Sequence, residues 1–240
     1  MKTKPPTKTR QVEQYYTRQL VRLAKNVGLI ITDMPPEDMR QASALEHLLR
    51  RYAEALTPWA YKVAERMVGD IERKDLAAWK AHSEEMRAGV RRALLSEDGE
   101  LTKALLNTQV TLIKSIPLDA AQRVHELTLK GLEEGTRGTD IFKEIMRSGE
   151  VSSSKARTIA RTETSRTAAT FAESRALRIG SEGYIWRTSE DGDVRKDHRE
   201  LDGKIFTWDN PPIADKRNGA RAHPGCIYNC RCWAEILIPD

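Results

Sequence analysis

Apolar residues recur at helical spacing from Val12 onward, and that period is lost after Gly180. Val12, Tyr15, Tyr16, Leu20, Leu23 and Val27 share one face, which predicts a helix over about 11–29. Asp33-Met34-Pro35-Pro36 breaks it, and Met39, Leu45, Leu48, Leu49 and Tyr52 predict the next, over about 37–56. Thr57-Pro58 reads as a helix start, with Thr capping and Pro in the first turn, where its missing N–H costs nothing. Trp59, Val63, Met67 and Ile71, then Leu76, Trp79, Met86, Val90 and Leu94, continue as one long helix or as two joined near Lys74, closed by Gly99. Further helices are predicted over 100–116, stopped by Pro117; from Asp119 to Gly135; and from Thr139 to Gly149. Ser152-Ser153-Ser154 is expected to cap a long helix over 155–179, with Gly180 in the stop position.

Beyond Gly180 the pattern changes to short extended runs. Tyr184–Thr188 reads as a strand, 193–200 as a short helix, Asp202-Gly203 as a hairpin-type turn, and Lys204–Trp208 as a second strand. A loop rich in proline follows, and Cys232–Ile238 reads as a terminal strand. The expected fold is therefore mainly α with a small C-terminal α+β domain: a helical N-terminal body, a long connecting helix, and a cap of short antiparallel strands. The expected boundaries are a disordered basic tail over 1–10, the helical body over 11–135, and the C-terminal domain over 136–240.

Charge changes this picture little. The net charge is +5, but Lys2, Lys4, Lys8 and Arg10 supply four of those charges with no acid among the first ten residues. Such a tail is suited to DNA or an acidic protein surface, or simply solubilises the end. A smaller basic excess lies within 155–178, where Arg157 and Arg161 share a face; it reads as an anion-facing helix, an Arg–Glu lock on the cap, or a solvated face. Mean hydropathy is −0.60, and no apolar run is long enough to cross a bilayer, so no membrane partner is expected. The N-terminus has a positive start but no apolar core behind it, so a cytosolic product is expected. Three cysteines in such a chain favour thiols or a metal over a disulfide framework.

All three cysteines, with His198 and His223, lie between Trp186 and Cys232. Zinc takes four nitrogen or sulfur ligands in a tetrahedron. Cys230 and Cys232, two apart on a strand, would point to one side, and His198 and His223 would complete a structural zinc site; Cys226 competes for the fourth place. The cap's few apolar residues, chiefly Tyr184, Trp186, Ile205, Phe206, Trp208, Trp233 and Ile236, are a further reason to expect such a staple. The alternative is two packed thiols and surface histidines. Asp191 and Asp193 flank Gly192 but lack the later residues of a calcium loop, and are read as acids capping the short helix.

Ala160-Arg161-Thr162-Glu163, Trp186-x-Thr188-Ser189-x-Asp191, Val194-Arg195-x-x-His198-x-x-Leu201-x-Gly203, His223-Pro224-Gly225 and Asn229-Cys230-Arg231-Cys232 occur in this order. Together they resemble the phage Mu F-like family of minor head, or head-morphogenesis, proteins of tailed bacteriophages. The resemblance covers roughly 130–238. It departs at Cys226, where the family more often has a polar residue. It implies a non-enzymatic virion protein inside the head, made in the host cytoplasm. Such a protein would work with the portal protein in procapsid assembly and in DNA packaging or genome ejection. The major capsid protein, a scaffolding protein and the packaged DNA are further partners it implies. Some members carry C-terminal toxin domains; the sequence stops at Asp240, and none is expected here. Two alternatives stand beside this reading. One is a metal-dependent nuclease-like or nucleotide-acting enzyme on His198 and the cysteines, which requires an open coordination position and a pocket, where a structural site is closed. The other is a basic DNA-binding protein acting through the tail and the 155–178 helix.

Overall fold

The computed structural model describes residues 2–4, 7–36, 38–83, 88–95, 99–134, 138–190 and 192–239. In chain order the elements are β1 (Lys2–Lys4), α1 (Arg10–Asp33), α2 (Met39–Ala55), α3 (Thr57–Ser83), α4 (Ala88–Leu95), α5 (Gly99–Glu134), α6 (Gly138–Met146) and α7 (Ser148–Arg178). Then follow β2 (Gly183–Arg187), α8 (Lys196–Leu201), β3 (Ile205–Thr207), β4 (Ile213–Asp215), β5 (Ala220–Arg221) and β6 (Trp233–Ile238). The chain is mainly α; apart from β1, the short antiparallel strands lie toward the C-terminus.

It divides into two compact units. One comprises 1–13, 67–103 and 161–240; the other comprises 14–66 and 104–160. This differs from the contiguous division at 135/136 expected from the sequence, because α1, α3, α5 and α7 each contribute residues to both units.

The all-helical unit, 14–66 with 104–160, follows the apolar period. Tyr16, Leu20, Leu23, Val27 and Ile31 of α1 are buried, as are Leu45 and Leu49 of α2 and Val63 of α3. The Asp38 side chain caps α2 by accepting the Gln41 N–H (2.8 Å), and the Tyr16 hydroxyl satisfies itself in the core on Gln109 Oε1 (3.0 Å). Two expectations are corrected here. Helix α5 runs straight through Pro117, because Ile113, Ile116, Ala120, Ala121 and Val124 continue one buried face across it. Packing outweighs the lost backbone hydrogen bond. Helix α7 begins at Ser148, since the Ser152 hydroxyl bonds back to the Ser148 carbonyl (2.8 Å) instead of capping a new helix. Gly135, the expected stop of the helix before it, lies outside the described residues.

The other unit carries the sheet, in the order β1-β6-β2-β3 with every pair antiparallel. Tyr184 faces Ile236 and Trp186 faces Ala234 across β2 and β6, so the buried aromatics share one face. With Trp79 of α3, Ala176 and Ile179 at the end of α7, Trp208 and Ile238, they form a hydrophobic cluster that also contains Cys230 and Cys232. Ile205, expected to be among the cap's apolar supports, is exposed. β4 and β5 form a separate two-stranded ribbon. Of residues 1–10, expected to be disordered, Met1, Pro5 and Pro6 lie outside the described residues; Lys2–Lys4 pair with β6 in register Lys2↔Ile238, and Arg10 opens α1. Thr7 donates to Asp75 Oδ1 (2.9 Å), whose other oxygen accepts from Arg175 Nε (3.0 Å), with Asp75 and Arg175 both buried.

Two predictions follow from packing. Asp75→Ala leaves the Arg175 guanidinium charged in a dry interior and should cost about 3–5 kcal/mol, read by urea denaturation; Asp75→Ala with Arg175→Met should recover most of it. In the helical unit, a Cβ on Gly28 would make an ordinary 3.7 Å contact with Gly149, whereas one on Gly149 would stand 2.9 Å from the Gly28 Cα. Gly28→Ala should therefore raise stability by up to about 1 kcal/mol through helix propensity, and Gly149→Ala should lower it by about 1–3 kcal/mol. Equal signs in thermal melts of the two variants would contradict the packing argument.

Candidate metal centre

Three buried side chains, from α8 and from the turn feeding β6, meet in the sheet-bearing unit. The strand starts at Trp233, so Cys230 and Cys232 lie just ahead of it and not on it. Their sulfurs still converge, because the Cys232 N–H donates to Cys230 Sγ (3.4 Å). His198, in α8, brings Nδ1 to 3.6 Å from Cys230 Sγ and 3.4 Å from Cys232 Sγ. Its Nε2 lies 3.0 Å from the Ala214 carbonyl oxygen of β4. A carbonyl only accepts, so Nε2 carries the proton and Nδ1 presents its lone pair to the sulfurs.

The turn is held by segments far away in sequence. Asn229, at φ 53°, donates its N–H to Thr162 Oγ1 (3.0 Å), and Arg195 Nη2 donates to the Tyr228 carbonyl (2.7 Å). Arg166 donates to the Cys226 carbonyl (3.2 Å) and is braced by Glu163 (2.8 Å). Gly225 adopts φ 86°, and a Cβ there would lie 3.1 Å from the Cys232 carbonyl oxygen, so glycine is required on both counts. The Ala160–Glu163 and Val194–His198 motifs thus position the two cysteines.

The site favours negative sulfur. The hydrogen bond from the Cys232 thiol holds the Cys230 thiol well below its ordinary range against its burial. Cys232 is pushed up, first by the Cys230 sulfur and then by burial. The Trp186 indole N–H acts the other way, holding the Cys232 thiol down. The imidazole also stands edge-on to the Trp186 ring (5.4 Å, 69°).

The donor set fits a thiophilic divalent ion. Bonds of about 2.0–2.1 Å to nitrogen and about 2.3 Å to sulfur at a tetrahedral angle separate N and S by about 3.5 Å. The observed separations are 3.4 and 3.6 Å. The Nε2–H on a backbone carbonyl is the brace that metal-bound histidines use.

The expected fourth ligand is not among these three. His223 instead places Nδ1 2.9 Å from the Tyr184 hydroxyl and Nε2 3.6 Å from Glu173 Oε1, with its ring beside Tyr184 and Trp208. Cys226 does not join the three either; burial, then Glu173, pushes its thiol up to about 12. Asp193, expected to cap α8, pairs with Arg231 (3.3 Å), and the residue flanking the helix start is Arg195; Asp191 lies outside the described residues. Thr162, Trp186 and the Ala214 carbonyl were not anticipated as parts of the site. Thr162 and Trp186 fall inside the motifs above, whereas a backbone carbonyl leaves no mark on the sequence.

Beside the cluster lies a polar hollow of ≈ 390 Å³, lined by all three of its members together with Arg161, Asp193, Arg195 and Arg231. Three protein donors facing an open hollow differ from the closed four-ligand site expected.

A mainly helical chain ending in a small α+β unit built around a buried Cys₂His cluster is the class of protein these features define. Residues 122–235, a little under half of the chain, match the family described as Phage Mu protein F like protein. An uncharacterized protein of Haemophilus influenzae is 27% identical over 255 residues, an alignment covering 99% of this chain and 55% of that protein. The chain thus spans about half the length of this relative. No solved structure matches the chain. Among the described residues, no helix is long and apolar enough to cross a membrane.

Proposed function

We propose that the chain is a minor, structural component of a phage head. It would lie inside the capsid, associate with the portal protein during procapsid assembly, and take part in DNA packaging or delivery. The observation that carries this reading is the Mu F-like match over 122–235, the stretch that includes every motif holding the Cys₂His cluster. The relative from Haemophilus influenzae aligns with nearly the whole chain, so the helices before that stretch are shared with it as well.

Within this role the ion we assign to His198, Cys230 and Cys232 is zinc, acting as a staple. Two thiolates, one imidazole and no need for redox chemistry suit zinc better than the harder divalent ions. A second reading, a phosphoester-hydrolysing centre, is favoured by the open hollow beside the three donors. Against it, the carboxylate in that lining, Asp193, already pairs with Arg231, so a metal-bound water would lack a ready base.

Co-expression with the cognate portal protein should yield a complex that survives purification, and the chain should be present in assembled heads. Its absence from both would remove the head-protein reading. Protein purified without chelator should carry about one equivalent of zinc, and Cys232→Ser should lose it. A strong chelator should then lower the melting midpoint by roughly 5 °C or more, since the binding free energy of a structural ion is folding free energy. Zinc-dependent hydrolysis of bis(p-nitrophenyl) phosphate that disappears in Cys232→Ser would shift the assignment to the second reading.

A further inference from the structure

We propose that the fourth coordination position of this centre faces the adjoining hollow and is filled by a phosphate-class oxyanion, held between the metal and the arginines that line it. The inference rests on the zinc reading above. Its first support is a count of donors. Among the described residues the protein brings three ligand atoms together, while His223, the expected fourth ligand, is engaged by Tyr184 elsewhere. Tetrahedral zinc with three protein ligands keeps its last position for a small molecule.

The second support is an unmet donor. Arg195 Nη2 is committed to the Tyr228 carbonyl, but its Nη1 is buried and, among the described residues, has no hydrogen-bond partner. A buried guanidinium N–H without an acceptor is costly, and an anion in the hollow would supply one. The third support is charge. Arg161, Arg195 and Arg231 line the hollow, Asp193 offsets one of them, and Glu13 lies loosely at 3.7 Å from Arg161. A divalent ion with two thiolates and an imidazole is neutral, so loading the metal leaves this excess of positive charge uncompensated.

The number of acceptor oxygens chooses the ligand. A carboxylate is used up by one guanidinium, as Asp215 is by Arg217, which takes Oδ1 at 2.9 Å and Oδ2 at 2.6 Å. A phosphate group has enough oxygens to reach the metal and more than one arginine together. The neutral form of the centre gives no preference of its own, so selectivity lies in the guanidinium groups.

The test uses the full chain loaded with Co(II) in place of zinc. Uptake of one equivalent should give the charge-transfer absorption of cobalt–thiolate bonds. Inorganic phosphate should then shift the visible cobalt bands, and its ³¹P resonance should broaden; acetate at the same concentration should do neither. Arg195→Gln should keep the thiolate band and weaken the apparent phosphate affinity about tenfold, as expected for loss of a charge-assisted hydrogen bond. If that variant loses the band, Arg231→Gln carries the same comparison. A cobalt–thiolate band that ignores phosphate, or responds equally to acetate, overturns this inference and leaves the metal centre standing; unchanged phosphate affinity in the arginine variant also overturns it. Absence of any cobalt–thiolate band removes the zinc reading and this inference with it.

Discussion

The Asp75–Arg175 ion pair is the constraint around which the sheet-bearing unit is arranged. Both side chains are out of water and only 3.0 Å apart, and Thr7 adds a hydrogen bond to the same carboxylate. Taking two charges out of solvent costs several kcal/mol for each, repaid only when geometry and hydrogen bonding are good. That requirement fixes the C-terminal end of α7 against α3 and against the segment ahead of α1. Ala176 and Ile179, one and four residues further on, then enter the cluster with Trp79, Tyr184 and Trp186. The sheet's first long strand begins four residues after that, so the position of the whole cap follows from where Arg175 is held.

Upstream on the same helix, Thr162 and Arg166 hold the turn that delivers the cysteines. Three residues of α7 thus perform three separate tasks: a hydroxyl accepts the strained Asn229 N–H, one arginine supports the Cys226 carbonyl, and another is buried. This explains why motifs that look unrelated along the chain occur together. Ala160–Glu163, Val194–His198 and Asn229–Cys232 are the sides of one small structure, and moving any of them would separate Nδ1 from the sulfurs.

Much of this was legible in the sequence, unevenly and for physical reasons. The apolar period located α1, α2 and α3 because their buried faces are continuous. It stopped α5 at Pro117, since proline propensity is local whereas the buried face that overrides it spans the residues on both sides. The serines before Lys155 read as a cap because the sequence does not say whether a hydroxyl bonds forward or back. Residue types placed His198, Cys230 and Cys232 in one candidate site, and the structure brings those three together. His223 belonged to the same set by type, but the aromatic ring facing it and the hydroxyl of Tyr184 are tertiary facts. The basic tail read as unstructured on composition alone; the pairing of Lys2–Lys4 with β6 depends on an edge that exists only once the sheet has formed.

Charge shows the same limit and decides between two of the functional readings. The stretch 155–178 carries six basic residues against two acidic ones, which suggests an anion-facing helix. Five of the six have structural employment among the described residues. Lys155 pairs with Asp119, Arg166 with Glu163 and the Cys226 carbonyl, Arg175 with Asp75, and Arg178 with Ser174, while Arg161 lines the hollow beside Glu13. A groove for duplex DNA needs a row of cations presented to solvent together. Here they are distributed around the helix and turned to separate partners. The sixth, Arg157, is exposed and lies apart from the lining of the small hollow beside the two sulfurs and the imidazole, where Arg161, Arg195 and Arg231 gather.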